Sequence, residues 1–281
     1  EECYCESGAL SQYALLSKNI LEARYASLFN ESEPHPHLAR VKSKKKDNFT
    51  PEILAEAISK RPIVLLGDVG VGKTSFIKNL MYNSAHEEFK TALYIYIDLG
   101  SKAALTDDLR VFVLNEIERQ LNDKYQVDPY EYGLIQGVYA AEISRFSRSI
   151  WSGKKDSDPD LYQTKLIEKL EELSAEKDQH LKRTIGYYAK TTKKQIIVCL
   201  DNADQRDFEV QQSSFVISQE LAQDWDATVF VSVRPQTFFR SKRSGALNAY
   251  PNKVFTISPP RIDKVIEKRL LFALSMAEGT M

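Results

Sequence analysis

The run of residues 67–74 has the residue types and the spacing of a loop that binds phosphate groups. It reads Gly-Asp-Val-Gly-Val-Gly-Lys-Thr and satisfies G-x-x-x-x-G-K-[ST]. Glycines let backbone N–H groups turn toward a phosphate, and a helix that begins at the same point adds N–H groups and a favourable dipole. We predict that Lys73 reaches the β- and γ-phosphates of a nucleotide and that Thr74 binds Mg²⁺. The predicted nucleotide contacts are Gly67, Asp68, Val69, Gly70, Val71, Gly72, Lys73, Thr74 and Ser75.

A second candidate group lies at the end of an apolar run, where Asp201 follows residues 196–200. Open α/β sheets bind ligands at the C-terminal ends of their strands, so a carboxylate at this place is well positioned for chemistry. We predict that Asp201 and Thr74 together hold the metal ion. Asp204 is a candidate for positioning or activating water, and a helix-capping Asp is the alternative interpretation of the same residue.

Arginines after the next apolar run form the third candidate group. Arg234 follows Val233 directly, and its guanidinium is predicted to face the γ-phosphate and to report its presence. A surface arginine after a strand is the alternative for Arg234. Arg240 and Arg243 lie further on and either reach the γ-phosphate of a neighbouring subunit or belong to a solvated basic loop. The predicted catalytic residues are Lys73, Asp201, Asp204 and Arg234.

Short apolar runs that alternate with helical patterns must position these residues. The predicted strands cover residues 63–66, 93–98, 196–200, 228–233 and 254–257. The predicted helices cover residues 9–29, 51–59, 73–82, 106–121 with a capping Thr106, 161–190, and a last stretch from about residue 260. Residues 30–48 and 152–160 are predicted loops, and residues 125–151 are predicted to be partly helical. This alternation predicts an α/β fold with a parallel sheet covered by helices on both faces.

Composition narrows the class of protein. The 281 residues carry 38 basic and 39 acidic side chains, which argues against a chain that coats nucleic acid by bulk charge. Three cysteines without metal-ligand spacing fit a reducing compartment. No apolar run is long enough to span a bilayer and no signal peptide is visible, so we expect a cytoplasmic protein without a membrane partner. Because the chain begins with Glu1, we expect a piece of a longer protein.

The phosphate-binding run and the strand before Asp201 together resemble the P-loop NTPases of the STAND and AAA+ superfamily. Many AAA+ ATPases have Glu directly after the metal-binding Asp, where this chain has Asn202. Residues 201–205 resemble instead the NACHT and KAP groups, in which a second acidic residue lies three positions on, at Asp204. Residues 229–235 are similar to the sensor strand of STAND NTPases. The resemblance covers roughly residues 49–274 and implies an ASCE-type nucleotide-binding core.

The sequence patterns, together with the resemblance over residues 49–274, predict a division of the chain into three parts. Residues 1–48 would form an N-terminal helix and a basic linker, and residues 49–260 a P-loop NTPase core with a helical insert at about 125–190. Residues 261–281 would begin a helical lid.

For function, the resemblance implies an ATP- and Mg²⁺-dependent regulatory ATPase that switches the shape of a larger protein in signalling or defence. It would self-associate or bind a partner protein through the ATPase module. The absence of an N-K-x-D guanine motif favours ATP. One alternative is a DNA-linked AAA+ ATPase with residues 42–46 and the basic groups around Arg240 as contacts. Another is a nucleotide-binding scaffold with little turnover, because Asn202 replaces the usual Glu.

Overall fold

A computed structural model of the chain describes residues 8–29, 60–101, 108–244 and 253–278. The chain forms two compact units, one of Glu1–Lys102 with Lys194–Met281 and one of Ala103–Lys193. We call the first the sheet unit and the second the helical unit. The predicted linker at 30–48, the lysines at 42–46 and the predicted helix at 51–59 lie outside the described residues. Within the described ranges, no helix is both long and apolar enough to cross a membrane.

Five parallel strands form the centre of the sheet unit, in the order β2-β3-β4-β1-β5. They are β1 Ile63–Leu66, β2 Leu93–Asp98, β3 Ile196–Asp201, β4 Thr228–Val233 and β5 Lys253–Thr256. Except at the edges, these runs are rich in β-branched and aromatic residues and almost wholly buried, as expected of strands covered on both faces. The predicted α/β class with a parallel sheet flanked by helices is therefore confirmed.

The sheet unit also contains six α-helices among the described residues. They are α1 Gly8–Phe29, α2 Lys73–Asn79, α3 His86–Lys90, α10 Phe208–Gln223, α11 Pro235–Ser244 and α12 Ile262–Ala277. A π-helical turn, Leu80–Ser84, continues α2. Asp207 caps α10, because its carboxylate accepts the backbone N–H of Val210.

Alternation along the strands decides which side chains meet α2. Ile63 and Leu65 of β1 belong to a buried cluster with Phe76 and Ile77 of α2. Ile197 and Cys199 of β3, Phe230 of β4 and Tyr94 of β2 belong to the same cluster. Because side chains repeat on one face with a period of two, the next same-face positions at the C-terminal ends are Asp201, Ser232 and Tyr96. The fold therefore directs these polar groups toward the start of α2.

The helical unit consists of helices between residues 109 and 192. They are α4 Leu109–Tyr125, α5 Tyr132–Val138, α6 Ala140–Phe146, α7 Lys154–Ser157, α8 Pro159–Ala175 and α9 Lys177–Thr192. A core of Tyr139, Tyr162, Leu166 and Leu170 packs α8 against the segment around α5 and α6. The predicted insert at 125–190 lies inside this unit, which also contains α4.

Three predictions about these helices are wrong in detail. The helix predicted at 106–121 begins at Leu109, because the carboxylate of Asp108 accepts the N–H groups of Arg110 and Val111; Thr106 lies outside the described residues. The loop predicted at 152–160 contains α7, and Asp158 caps α8.

The helix predicted at 161–190 is two helices, because the backbone of Glu176 is extended with φ −84° and ψ 90°. In the last turn of α8, the Leu173 carbonyl accepts a hydrogen bond from the Tyr139 hydroxyl.

Candidate functional site

The loop between β1 and α2 depends on its glycines for two different reasons. Gly70 and Gly72 have φ values of 81° and 104°, a conformation that side chains with a Cβ rarely adopt. Gly67 has an ordinary φ, but a Cβ there would lie 2.6 Å from Cγ2 of Val71 and 2.9 Å from the carbonyl oxygen of Ile257. Gly70 and Gly72 therefore allow the backbone turns of the loop, and Gly67 allows the loop to pack closely against the residue that follows β5.

Lys73, the first residue of α2, places its ammonium group inside this loop. Its Nζ donates to the carbonyl oxygens of Gly67 and Asp68, each at 2.7 Å. It also pairs with Oδ2 of Asp204 at 3.1 Å, and both side chains are 4% exposed. Oδ1 of Asp204 is buried and has no hydrogen-bond partner in the described part of the chain. The structure thus brings Lys73 and Asp204 together in a nearly dry ion pair.

Asp201 is the other polar centre and is fully buried. Its Oδ2 accepts hydrogen bonds from Oγ1 of Thr74 at 2.7 Å and from the hydroxyl of Tyr96 at 2.9 Å. Its Oδ1 accepts from Oγ of Ser232 at 2.6 Å and from its neighbour's backbone, the N–H of Asn202, at 2.8 Å. Groups from α2, β2 and β4 therefore converge on one carboxylate at the end of β3.

The Tyr96 hydroxyl and the Cys199 thiol near Asp201 have raised pKa values and are therefore protonated at neutral pH. Burial raises the pKa of the Tyr96 hydroxyl, and the carboxylate of Asp201 beside it adds to the shift. Burial likewise raises the pKa of the Cys199 thiol, which lies two residues before Asp201 in β3. Tyr96 is thus a permanent hydrogen-bond donor to Asp201 at neutral pH.

The side chains that meet at Asp201 include oxygen donors of the kind that hard divalent cations take. Among the described residues, no group of three His, Cys, Asp or Glu side chains comes together as a metal site. A single carboxylate, Asp201, with a hydroxyl, Thr74, matches Mg²⁺, which keeps several waters and takes its other ligands from phosphate oxygens.

The strand order puts this centre at an edge of the sheet where α/β proteins commonly bind ligands. After β1 the chain crosses to β2 at the far edge of the sheet, whereas after β4 it passes to β5 on the other side of β1. The two connections leave the adjacent strands β1 and β4 in opposite directions, and the carboxyl ends of such strands are the usual ligand site of open α/β sheets. The loop after β1 follows one of these strand ends, and its residues 68–70 are exposed.

Sequence reasoning missed Tyr96, Asp98 and Ser232. Asp98 ends β2 directly opposite Asp201 in the pairing of β2 with β3. Its Oδ1 accepts the backbone N–H of Gly100 at 2.9 Å and the side-chain amide of Asn202 at 2.7 Å. A signal was present, since β2 and β3 are both apolar runs that end in Asp.

The predicted arginines are placed differently from the Lys73 and Asp201 groups. Arg234 is half-buried after β4, its backbone N–H donates to Oε1 of Gln211 at 3.2 Å, and its Nε is buried without a described partner. Among the described residues it forms no ion pair with Asp201 or Asp204. The Arg240 guanidinium lies 4.0 Å from the centroid of the Phe208 ring of the same chain. Arg234 is therefore not paired with either carboxylate among the described residues, and the contact of Arg240 or Arg243 with a neighbouring subunit remains a prediction.

Comparisons of the chain with protein-family models, with curated proteins and with solved structures find no match. The polar groups at the ends of β1, β3 and β4 are therefore the features that indicate a function.

Proposed function

We propose that the chain binds ATP with Mg²⁺ at the ends of β1, β3 and β4, and hydrolyses it as a regulatory P-loop ATPase of the STAND or AAA+ type. The observation that carries the proposal is the 2.7 Å hydrogen bond between Thr74 and Asp201, which come from distant parts of the sequence. A hydroxyl at the start of a glycine-loop helix beside a buried strand-end carboxylate is an arrangement that a Mg²⁺–phosphate complex requires.

The loop supplies the phosphate contacts in this proposal. Gly70 and Gly72, with their positive φ values, leave backbone N–H groups uncovered by any Cβ, and α2 starts at Lys73. Lys73 already lies at this loop, and its present partners are two carbonyl oxygens and Asp204. Phosphate oxygens would compete for the same ammonium group, because they carry more negative charge than carbonyl oxygens.

Thr74 and Asp201 would hold Mg²⁺, Thr74 through its hydroxyl oxygen and Asp201 through its carboxylate or a bound water. When bound, Mg²⁺ neutralises charge on the β- and γ-phosphates. Tyr96 and Ser232 keep Asp201 in one orientation by donating to different oxygens of its carboxylate.

A regulatory role is supported by the Lys73–Asp204 pair. Asp204 lies in the short 3₁₀ helix Ala203–Gln205 that follows β3. If Lys73 turns to phosphate, Asp204 loses its charge partner while it is buried, which favours movement of this 3₁₀ helix. Nucleotide occupancy would thereby change the conformation of the segment after β3, as a switch requires.

A nucleotide-binding scaffold with little turnover is the second candidate, and Asn202 is the observation that favours it. Asn202 stands directly after Asp201, and its side chain is an amide that donates to Asp98. An amide does not accept a proton from water, so this position cannot supply a general base.

Calorimetric titration of ATP with and without Mg²⁺ tests the proposal. The variant Asp201→Asn should lose about tenfold to a hundredfold of the Mg²⁺-dependent affinity, as expected when a metal-binding group is altered. Asp207→Asn is the matched control, because Asn also caps a helix and Asp207 lies at the start of α10. ATP affinity that does not depend on Mg²⁺ and is equal in both variants would refute the site. Phosphate release by the wild-type chain then separates the ATPase from the scaffold.

A further inference from the structure

Three carboxylates lie at or just after the ends of β2 and β3, and they differ in their burial and in their hydrogen-bond and ion-pair partners. Asp201 is fully buried and accepts four hydrogen bonds. Asp204 is 3% exposed and pairs with Lys73. Asp98 is half-buried, and its Oδ2 accepts no hydrogen bond from any described residue. Of the three, Asp98 is the carboxylate that water can reach.

Asp98 is also held in a fixed orientation. Both of its hydrogen bonds, from the Gly100 N–H and the Asn202 amide, go to Oδ1, which directs Oδ2 away from them. The backbone of Asn202 has φ 60°, which is in the left-handed region. Asn adopts this conformation more readily than most residues do.

The segments that follow β2 and β3 are locked together around this pair. The guanidinium of Arg206 donates to the carbonyl oxygens of Leu99 at 2.6 Å and Ser101 at 2.5 Å. A Cβ at Gly100 would lie 3.0 Å from Cβ of Asn202, so only glycine permits this approach without a shift. Asp98 therefore lies on a rigid support, as a group that positions a reactant must.

We propose that Asp98 orients the water that attacks the γ-phosphate, an inference that rests on the nucleotide site proposed above. An independent sign that this region takes a ligand is the buried Oδ1 of Asp204, which has no described partner although the residue is 3% exposed. Asn202 is then the positioning residue that holds Asp98, and the residue after Asp201 needs no carboxylate of its own.

In the proposed hydrolysis step, water attacks the γ-phosphate and Asp98 accepts a proton. The water oxygen forms a bond to the γ-phosphorus, and the bond from that phosphorus to the β–γ bridging oxygen breaks, with its electron pair remaining on ADP. One proton of the water passes to Oδ2 of Asp98 and from there to solvent. The products are ADP and inorganic phosphate, and no oxidant or reductant is required.

The variant Asp98→Asn tests the assignment with little change in structure. An Asn in this position retains an oxygen that accepts both the Gly100 N–H and the Asn202 amide, so the packing is preserved while the negative charge is removed. We expect turnover at saturating ATP to fall about a hundredfold, the usual range for loss of a positioned acid–base group, with the Kd for Mg²⁺–ATP unchanged. Asp204→Asn, which is isosteric in the same way, is the comparison variant and should retain a larger fraction of turnover than Asp98→Asn.

The outcomes separate this inference from the proposed function. Unchanged Mg²⁺–ATP affinity in Asp98→Asn shows that the variant is folded and that the nucleotide site is intact. Turnover at the wild-type rate in that variant would overturn the role of Asp98 and leave the ATPase standing. A wild-type chain that binds Mg²⁺–ATP without releasing phosphate would also overturn it, while the binding site remains. Loss of turnover in Asp204→Asn alone would transfer the role to Asp204.

Discussion

The strand-end site of the sheet unit and the surroundings of His180 in the helical unit bury different kinds of polar side chain. The buried groups at the strand-end site include three that carry charge: Lys73, Asp201 and Asp204. One oxygen of Asp204 has no described partner there. In the helical unit the fully buried His180 has both ring nitrogens hydrogen-bonded, Nε2 to the Pro129 carbonyl and Nδ1 to the Tyr139 hydroxyl, each at 2.9 Å.

The protonation of His180 follows from its partners. Burial lowers the pKa of His180, so the ring is neutral at pH 7, although the Pro129 carbonyl and Glu118 oppose the shift. A carbonyl oxygen only accepts, so the single ring proton is on Nε2 and Nδ1 accepts from Tyr139. The Tyr139 proton is shared between Nδ1 and the Leu173 carbonyl. This network is neutral and connects three helical segments.

Under the proposed function, the difference separates a region that binds a ligand from a region that stabilises the fold. A buried ion pair is rarely more stable than apolar residues of the same volume, so Lys73 and Asp204 are better explained by a ligand than by folding. A neutral, hydrogen-bonded network such as that of His180 and Tyr139 specifies packing at little electrostatic cost. The chain has two tryptophans, Trp151 in the helical unit and Trp225 in the sheet unit. Their fluorescence can therefore report the unfolding of each unit separately.

The largest effect is expected at the Lys73–Asp204 pair. Lys73→Met should destabilise the sheet unit by about 3 kcal/mol or more, because it leaves the Asp204 carboxylate buried and unpaired. Lys73→Met with Asp204→Asn should recover most of that loss, while neither variant binds ATP. Urea unfolding followed by Trp225 fluorescence in a Trp151→Phe background measures the stability. A single variant as stable as wild type would mean that the pair is not buried in solution.

A second large effect is expected at His180. His180→Leu should destabilise the helical unit by about 2 kcal/mol, since it leaves the Pro129 carbonyl buried without a donor. The affinity for Mg²⁺–ATP should not change. Unfolding followed by Trp151 fluorescence in a Trp225→Phe background gives the stability, and calorimetry gives the affinity. Weaker ATP binding in this variant would contradict the separation of roles between the units.

A smaller effect is expected at Tyr96. Tyr96→Phe removes one hydrogen bond to Asp201 and should weaken Mg²⁺-dependent ATP binding about fivefold, which corresponds to roughly 1 kcal/mol. Affinity for ATP without Mg²⁺ should be unchanged. Tyr94→Phe is the control in the same strand, because the Tyr94 hydroxyl has a hydrogen bond with Cys199. Equal affinities in the two variants would show that Tyr96 does not hold Asp201.

The smallest effect is the pH dependence of the helical unit. The pKa of His180 is lowered in the folded chain, so below its ordinary value of 6.5 the unfolded chain binds more protons. Stability should therefore be constant above about pH 6.5 and fall as the pH decreases through the lower folded pKa, by at most about 1.4 kcal/mol per pH unit. The Trp151 unfolding signal at a series of pH values measures this. His180→Leu should lack this contribution, and an identical pH profile in that variant would exclude His180 as its source.

The sequence alone predicted the features that short stretches encode. The strands Ile63–Leu66, Leu93–Asp98 and Thr228–Val233 have the predicted bounds, because short apolar runs with polar flanks have few other stable arrangements. The loop before Lys73 and the strand end at Asp201 were located by the same local patterns. The nucleotide assigned to them remains a prediction.

Tertiary structure alone decided which side chains meet. The bonds from Tyr96 and Ser232 to Asp201, and from Asn202 to Asp98, depend on strand order and register, which many weak contacts set together. The hydrogen bond from Tyr139 to the Leu173 carbonyl likewise joins residues that are 34 positions apart in sequence. A local pattern carries no information about partners that lie a hundred residues away, because the free energy that selects them is shared across the whole folded chain.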